Sequence, residues 1–193
     1  MFISPTLQST LAATIWPNPS TILSLRAILL ALVGSALLTL SAKIQIPFWP
    51  VPMTMQTFAV LVIGITYGSR LGAATVALYL AEGAAGLPVF AGGGGIAYLA
   101  GPTAGYLFGF VIAAALVGWL AEHGWDRKAS TTAAAMLLGN LVIYVSGLLW
   151  LGTFVGYGKV FAVGMLPFLP GDVLKLALAA AILPTVWRFI RQK

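Results

Sequence analysis

The strongest constraint on this chain is the length of its uncharged runs. Six segments, Ile22 to Ala42, Met53 to Tyr67, Leu71 to Ala85, Thr103 to Ala121, Thr131 to Leu151 and Asp172 to Ile190, are apolar and bounded by charge, proline or glycine. About 20 such residues suffice to cross a bilayer core, so the expected fold is an all-α polytopic membrane protein with six transmembrane helices. Composition agrees: 60% of the 193 residues are hydrophobic, 7% are charged and the mean hydropathy is +1.01, whereas soluble domains carry about 25% charged residues. The second and third spans are short for a crossing. No room is left for a second domain of ordinary size, so residues 1–193 read as one membrane domain with an N-terminal tail over 1–21. Ser4 to Trp16 lacks the basic face of an interfacial helix and reads as part of that tail, and no removable signal peptide is expected.

Orientation follows from the basic residues. With an even number of spans both termini share a side, and that side receives Arg26, Arg70, Arg127, Lys128, Arg188, Arg191 and Lys193, against Lys43, Lys159 and Lys175 on the other. The positive-inside rule therefore puts both termini in the cytoplasm. All six tryptophans fall near span ends, as amphipathic rings at headgroup level do.

Several chemistries are excluded. Without cysteine there is no disulfide frame, thiolate metal site or thiol nucleophile. The single histidine, His123, sits by a cytoplasmic loop and reads as solvated, so no metal site is expected. The net charge of +6 is dispersed singly, not gathered into a nucleic-acid patch. The glycine run Gly92 to Gly95 lacks the Lys-Ser/Thr of a phosphate-binding loop, and no catalytic constellation is present, so neither an ATP-driven motor nor an enzyme is expected.

The polar residues inside the spans share a level. Gln56 lies one turn into the second span from the outer side. Glu82 lies about 18 Å from the cytoplasmic Arg70 along a helix axis, level with Tyr79. Asn140 and Tyr144, four apart, share one face of the fifth span. The sixth span opens with Pro170, Gly171 and Asp172, with Lys175 three residues on and on the same face. An Asp suits a helix N-terminus but a Lys does not, and intramembrane ionisable groups mark function by default. Each residue also has a structural alternative, as glue between helices, as an interfacial ring, as a mutually neutralised pair or, for Glu82, as a carboxylate facing water at the helix mouth. Ala27, Ala31 and Ser35 recur every four residues of the first span, a small-residue stripe suited to close packing within the fold or against a partner.

Four segments carry a family resemblance: PVPMTMQTFAV at Pro50 to Val60, GLPVFAGG at Gly86 to Gly93, GPTAGYLFGF at Gly101 to Phe110, and PFLPGDVLK at Pro167 to Lys175. In these the chain resembles the BioY biotin transporters, the substrate-binding S components of energy-coupling factor transporters. The resemblance implies a biotin pocket near the outer surface of a bacterial cytoplasmic membrane. It also implies uptake energised by a transmembrane coupling protein with two cytoplasmic ATPases, with biotin as cargo and no cofactor. It assigns Asp172 and Lys175 to the pocket, with Gln56, Asn140 and Tyr144 beside them. Tyr98, Tyr106, Tyr144 or Phe90 would pack on the ligand's rings, and the loop around Gly93 would close over it. Glu82 joins this candidate set by level alone. The stripe at Ala27, Ala31 and Ser35 resembles the face that S components present to the coupling protein. The competing readings are a stand-alone vitamin facilitator of other specificity, a membrane enzyme using Asp172 and Lys175 as acid and base, and a structural subunit whose polar cluster only holds helices together.

Overall fold

The computed structural model describes residues 10–16 and 25–191. The start of the first expected span, most of the tail, and Lys193 lie outside them, as does the side chain of Arg191. Within them the order is α1 (Leu11–Ile15), α2 (Leu25–Lys43), β1 (Gln45–Ile46), β2 (Met53–Thr54), α3 (Gln56–Tyr67), α4 (Ser69–Ala84), α5 (Ile96–Leu99), α6 (Ala104–Glu122), α7 (Ala129–Val155), α8 (Val160–Gly164) and α9 (Leu169–Arg191).

Four helices are long and apolar enough to cross a membrane: Leu25–Lys43, Ala104–Glu122, Ala129–Val155 and Leu169–Ile190. The helices in the other two expected positions, α3 and α4, have 12 and 16 residues. At 1.5 Å per residue they reach about 18 and 24 Å, short of a hydrocarbon core of about 30 Å. They form a hairpin joined by Gly68, whose φ of +87° a side chain would strain. The Glu122 carboxylate from the end of α6 seals this turn, accepting from Ser69 N at 2.8 Å and Ser69 Oγ at 2.9 Å. A carboxylate there satisfies an orphan N–H and meets the positive end of the α4 dipole.

The most buried of the long helices is α6, which packs against α3, α4 and α7. Around it the outward faces are apolar. Leu32 and Val33 on α2, Leu141 and Leu149 on α7, and Val173 and Leu174 on α9 are all exposed, a distribution that suits lipid and not water.

Two helix starts and the tail differ instructively from expectation. Helix α3 begins at Gln56, because Met53–Thr54 instead pair antiparallel with Gln45–Ile46. Pro47, Pro50 and Pro52 in the connection lack N–H donors, so the ladder stops after two residue pairs. Helix α9 starts at Leu169, with Pro170 in the first turn, where its missing donor costs nothing. The tail contains α1, capped by Thr10 through Ala13 N at 3.4 Å, and Leu11 is buried.

In the small-residue stripe Ala27 and Ser35 are buried and Ala31 is half-buried. Ser35 Oγ donates to the Glu82 carboxylate of α4, while a Cβ at the adjacent Gly34 would lie 2.5 Å from Thr75 of the same helix. Small residues at Gly34 and Ser35 thus let α2 approach α4 closely.

Candidate functional site: a cavity under the β1–β2 connection

A cavity lies between α3, α6, α7 and α9, under the β1–β2 connection, and encloses about 590 Å³ of empty space including its mouth. Leu107, Phe110, Ile143, Phe168 and Val51 form apolar walls, and polar groups converge on one side.

Lys175 anchors that side. Its ammonium donates to Thr54 O at 2.9 Å, Thr57 Oγ1 at 2.9 Å and Asp172 Oδ1 at 3.2 Å, which uses all three of its donors. Asp172 lies in the first turn of α9, where the dipole favours a carboxylate, and its other oxygen accepts from the Tyr144 hydroxyl. The i,i+3 spacing read from sequence is thus a real ion pair, with both side chains largely buried. One α-helical turn below Tyr144, Asn140 is buried and its Oδ1 has no hydrogen-bond partner among the described residues. Such an orphan acceptor costs about 1 to 3 kcal/mol in the empty protein.

Gln56 opens α3. Its Nε2 donates to the Tyr79 hydroxyl at 2.7 Å, and its Oε1 accepts from Thr54 Oγ1 at 3.3 Å. Tyr106 lines the cavity with its ring while its hydroxyl donates to Gly164 O at 2.8 Å, tying α6 to α8. Tyr98 and Ala91 stand at the mouth, where the cavity meets an outer vestibule. That vestibule shares Pro52, Ala91, Tyr98 and Thr103 with it and is otherwise lined by Gln45, the prolines and aromatics of the β1–β2 connection, and Gly92, Ala97, Gly101 and Pro102.

Seven of the ten residues expected to bind ligand therefore line one cavity: Asp172, Lys175, Asn140, Tyr144, Gln56, Tyr98 and Tyr106. Three do not. Glu82 is turned to Ser35 on α2 and serves as glue between helices. Phe90 is wholly buried behind Tyr98, stacked on it at 5.0 Å between centroids, with its ring seated on Gly83, where a Cβ would fall 2.0 Å from it. Gly93 pairs with Phe90 in an isolated bridge behind the mouth. The sequence reading missed Thr54 and Thr57, which hold the Lys175 ammonium. For Thr57 the signal was available, a hydroxyl one residue after Gln56 in the segment already singled out, whereas Thr54 acts through its backbone carbonyl, which residue type does not announce.

Known proteins bear on this geometry. A family model described as BioY family matches residues 13–192. A probable biotin transporter BioY of Pyrococcus horikoshii is 42% identical over 76% of this chain and 87% of its own length. A biotin transporter BioY of Thermotoga maritima is 40% identical over 82% and 94% respectively. Among solved structures, the crystal structure of the S-component for biotin from an ECF-type ABC transporter superposes with a TM-score of 0.72 at 23% identity, over 89% of this chain and 95% of that one. The fold is thus that of an S component, and a chain matched over nearly its whole length by the family model, with long relatives at about 40% identity, belongs to the BioY family.

Proposed function

We propose that this chain binds biotin from the outer side of a bacterial cytoplasmic membrane and serves as the S component of an energy-coupling factor transporter. The observation that carries this reading is one cavity lined by Asn140, Asp172, Lys175 and Tyr144, with the buried Asn140 Oδ1 left without a hydrogen-bond partner among the described residues. Biotin brings two ureido N–H donors, one carbonyl acceptor, an apolar thioether ring and a carboxylate. A ureido N–H gives Asn140 its missing partner. Lys175 meets the ureido oxygen or the carboxylate by exchanging one of its present acceptors, and the aromatic walls take the ring.

In this reading α3 and α4 complete six membrane crossings, their short length met by local thinning or tilt, and both termini lie in the cytoplasm. Energy comes from partners, a transmembrane coupling protein and two cytoplasmic ATPases, and this chain makes and breaks no covalent bond. The names of the relatives and the S-component fold support the assignment.

The test is equilibrium binding of labelled biotin to the purified chain in detergent, with dethiobiotin, thiamine and riboflavin as competitors. Saturable, biotin-selective binding is expected. Asp172→Asn and Lys175→Met should each weaken it by about 10- to 150-fold, the worth of a charge-assisted hydrogen bond of about 1.5 to 3 kcal/mol. A folded protein that binds no biotin ends this reading in favour of a structural subunit.

A further inference from the structure

The segment from Leu87 to Gly95 forms one rim of the cavity mouth, and its backbone is held in an unusual way. Three consecutive carbonyls each accept a hydrogen bond from a side chain of a different element. Val89 O accepts from Tyr79 Oη of α4 at 3.0 Å, Phe90 O from Lys43 Nζ at the end of α2 at 2.7 Å, and Ala91 O from Gln45 Nε2 of β1 at 3.3 Å. The turn also closes on itself, with Phe90 N donating to Gly93 O at 2.9 Å, and it is pinned to α4 through Gly95 N to Gly83 O at 2.7 Å.

This clamp reaches the cavity along two lines. Phe90, locked between Tyr79 (5.4 Å, edge-on) and Tyr98 (5.0 Å, stacked), backs the ring that Tyr98 presents to the cavity. The Tyr79 hydroxyl that holds Val89 O also accepts from Gln56, a cavity-lining amide. Neither Lys43 nor Tyr79 lines the cavity, and Gln45 lines only the vestibule.

We infer that Lys43, Gln45 and Tyr79 are positioning residues for ligand binding: by fixing three successive carbonyls they hold Ala91, Tyr98 and Gln56 in the arrangement that retains a bound ligand. The inference rests on the biotin-binding reading for its kinetic consequence. An ordered rim spares the complex the cost of ordering it on binding, and its loss is felt chiefly in the rate of escape. Lys43 should matter most of the two rim-exposed donors, because a charged donor makes the stronger bond.

The experiment uses the full chain in detergent, with dissociation of labelled biotin followed after a chase. Lys43→Met and Tyr79→Phe are expected to speed dissociation about ten-fold while leaving association within about two-fold. Lys43→Arg keeps a charged donor and should restore most of the loss, whereas a role in folding alone would show as lower thermal stability with unchanged dissociation. In parallel, hydrogen exchange of amides 92–95 in ligand-free protein should rise in the Lys43→Met/Gln45→Ala double variant. Folded variants with wild-type dissociation, or a double variant with wild-type exchange, overturn the inference. Should wild-type protein bind no biotin, the functional reading falls, and the exchange measurement, which needs no ligand, still decides whether the clamp holds the rim.

Discussion

The two ends of the bundle contain similar chemistry arranged to opposite effect. At the end away from the cavity, Asp126 is buried in the loop between α6 and α7 and receives Trp187 Nε1 from α9 and Arg127 Nε at 3.1 Å. The Arg127 guanidinium lies 3.3 Å over the Trp187 ring. An acid, a base and an aromatic are packed there against one another. At the other end Asp172, Lys175 and Tyr144 make an equally close trio, yet it borders a hollow with a buried acceptor left over. What sets the second trio apart is the cavity beside it and the unmet oxygen of Asn140, which give that end something to exchange with a ligand.

The largest effect should come from breaking the closed end. Asp126→Ala takes the acceptor from the Trp187 N–H and the carboxylate from beside Arg127, and removing one partner of a buried pair costs about 3 to 5 kcal/mol. Thermal or denaturant unfolding should show that loss, with biotin affinity unchanged in the protein that remains folded. A variant that loses affinity at constant stability would place this end in the ligand's path and erase the contrast.

Next in size, Asn140→Leu should separate stability from function at the open end. Removing an orphan acceptor relieves its desolvation cost, so the ligand-free protein should gain about 1 kcal/mol of stability while losing affinity for biotin. Both changes can be read from one series of melts with and without ligand. A stability loss would mean that Asn140 is a helix-to-helix bond and not a binding group.

The smallest effect is the pH response of the closed end. Burial holds the Asp126 carboxyl above its ordinary value of 3.8, the Trp187 N–H and Arg127 opposing this only in part. The folded chain thus binds that proton more tightly than the unfolded one. The contribution to stability is full below 3.8 and is lost as pH rises through the higher folded value. Asp126→Asn keeps an acceptor for Trp187 and should flatten that part of the profile in melting curves taken from about pH 3 to 7.

Much of this was legible beforehand. The Asp172–Lys175 pair follows from three-residue spacing, and Asn140 and Tyr144 from four, because a regular helix converts spacing into a shared face. The long spans follow from apolar length. What stayed hidden depended on neighbours far along the chain. Glu82 looked like a cavity residue because its level was right, but level along an axis says nothing of rotation about it, and its partner Ser35 lies 47 residues away. The stripe at Ala27, Ala31 and Ser35 read as a face for close packing within the fold or against a partner, and spacing cannot say whether the neighbour belongs to the same chain. Phe90 was expected against the ligand, but the socket left by Gly83 draws it behind Tyr98.

The pairing of Lys175 with Asp172 has a further consequence for how ligands arrive. Two opposite charges 3.2 Å apart present to distant solutes the field of a dipole, which falls away faster than that of a lone ammonium and is further damped within about 8 Å at physiological salt. The pair therefore does little to gather anions from the medium ahead of contact. A ligand taken up by this pair is therefore selected on contact, by shape and hydrogen-bond exchange, and not by attraction from a distance.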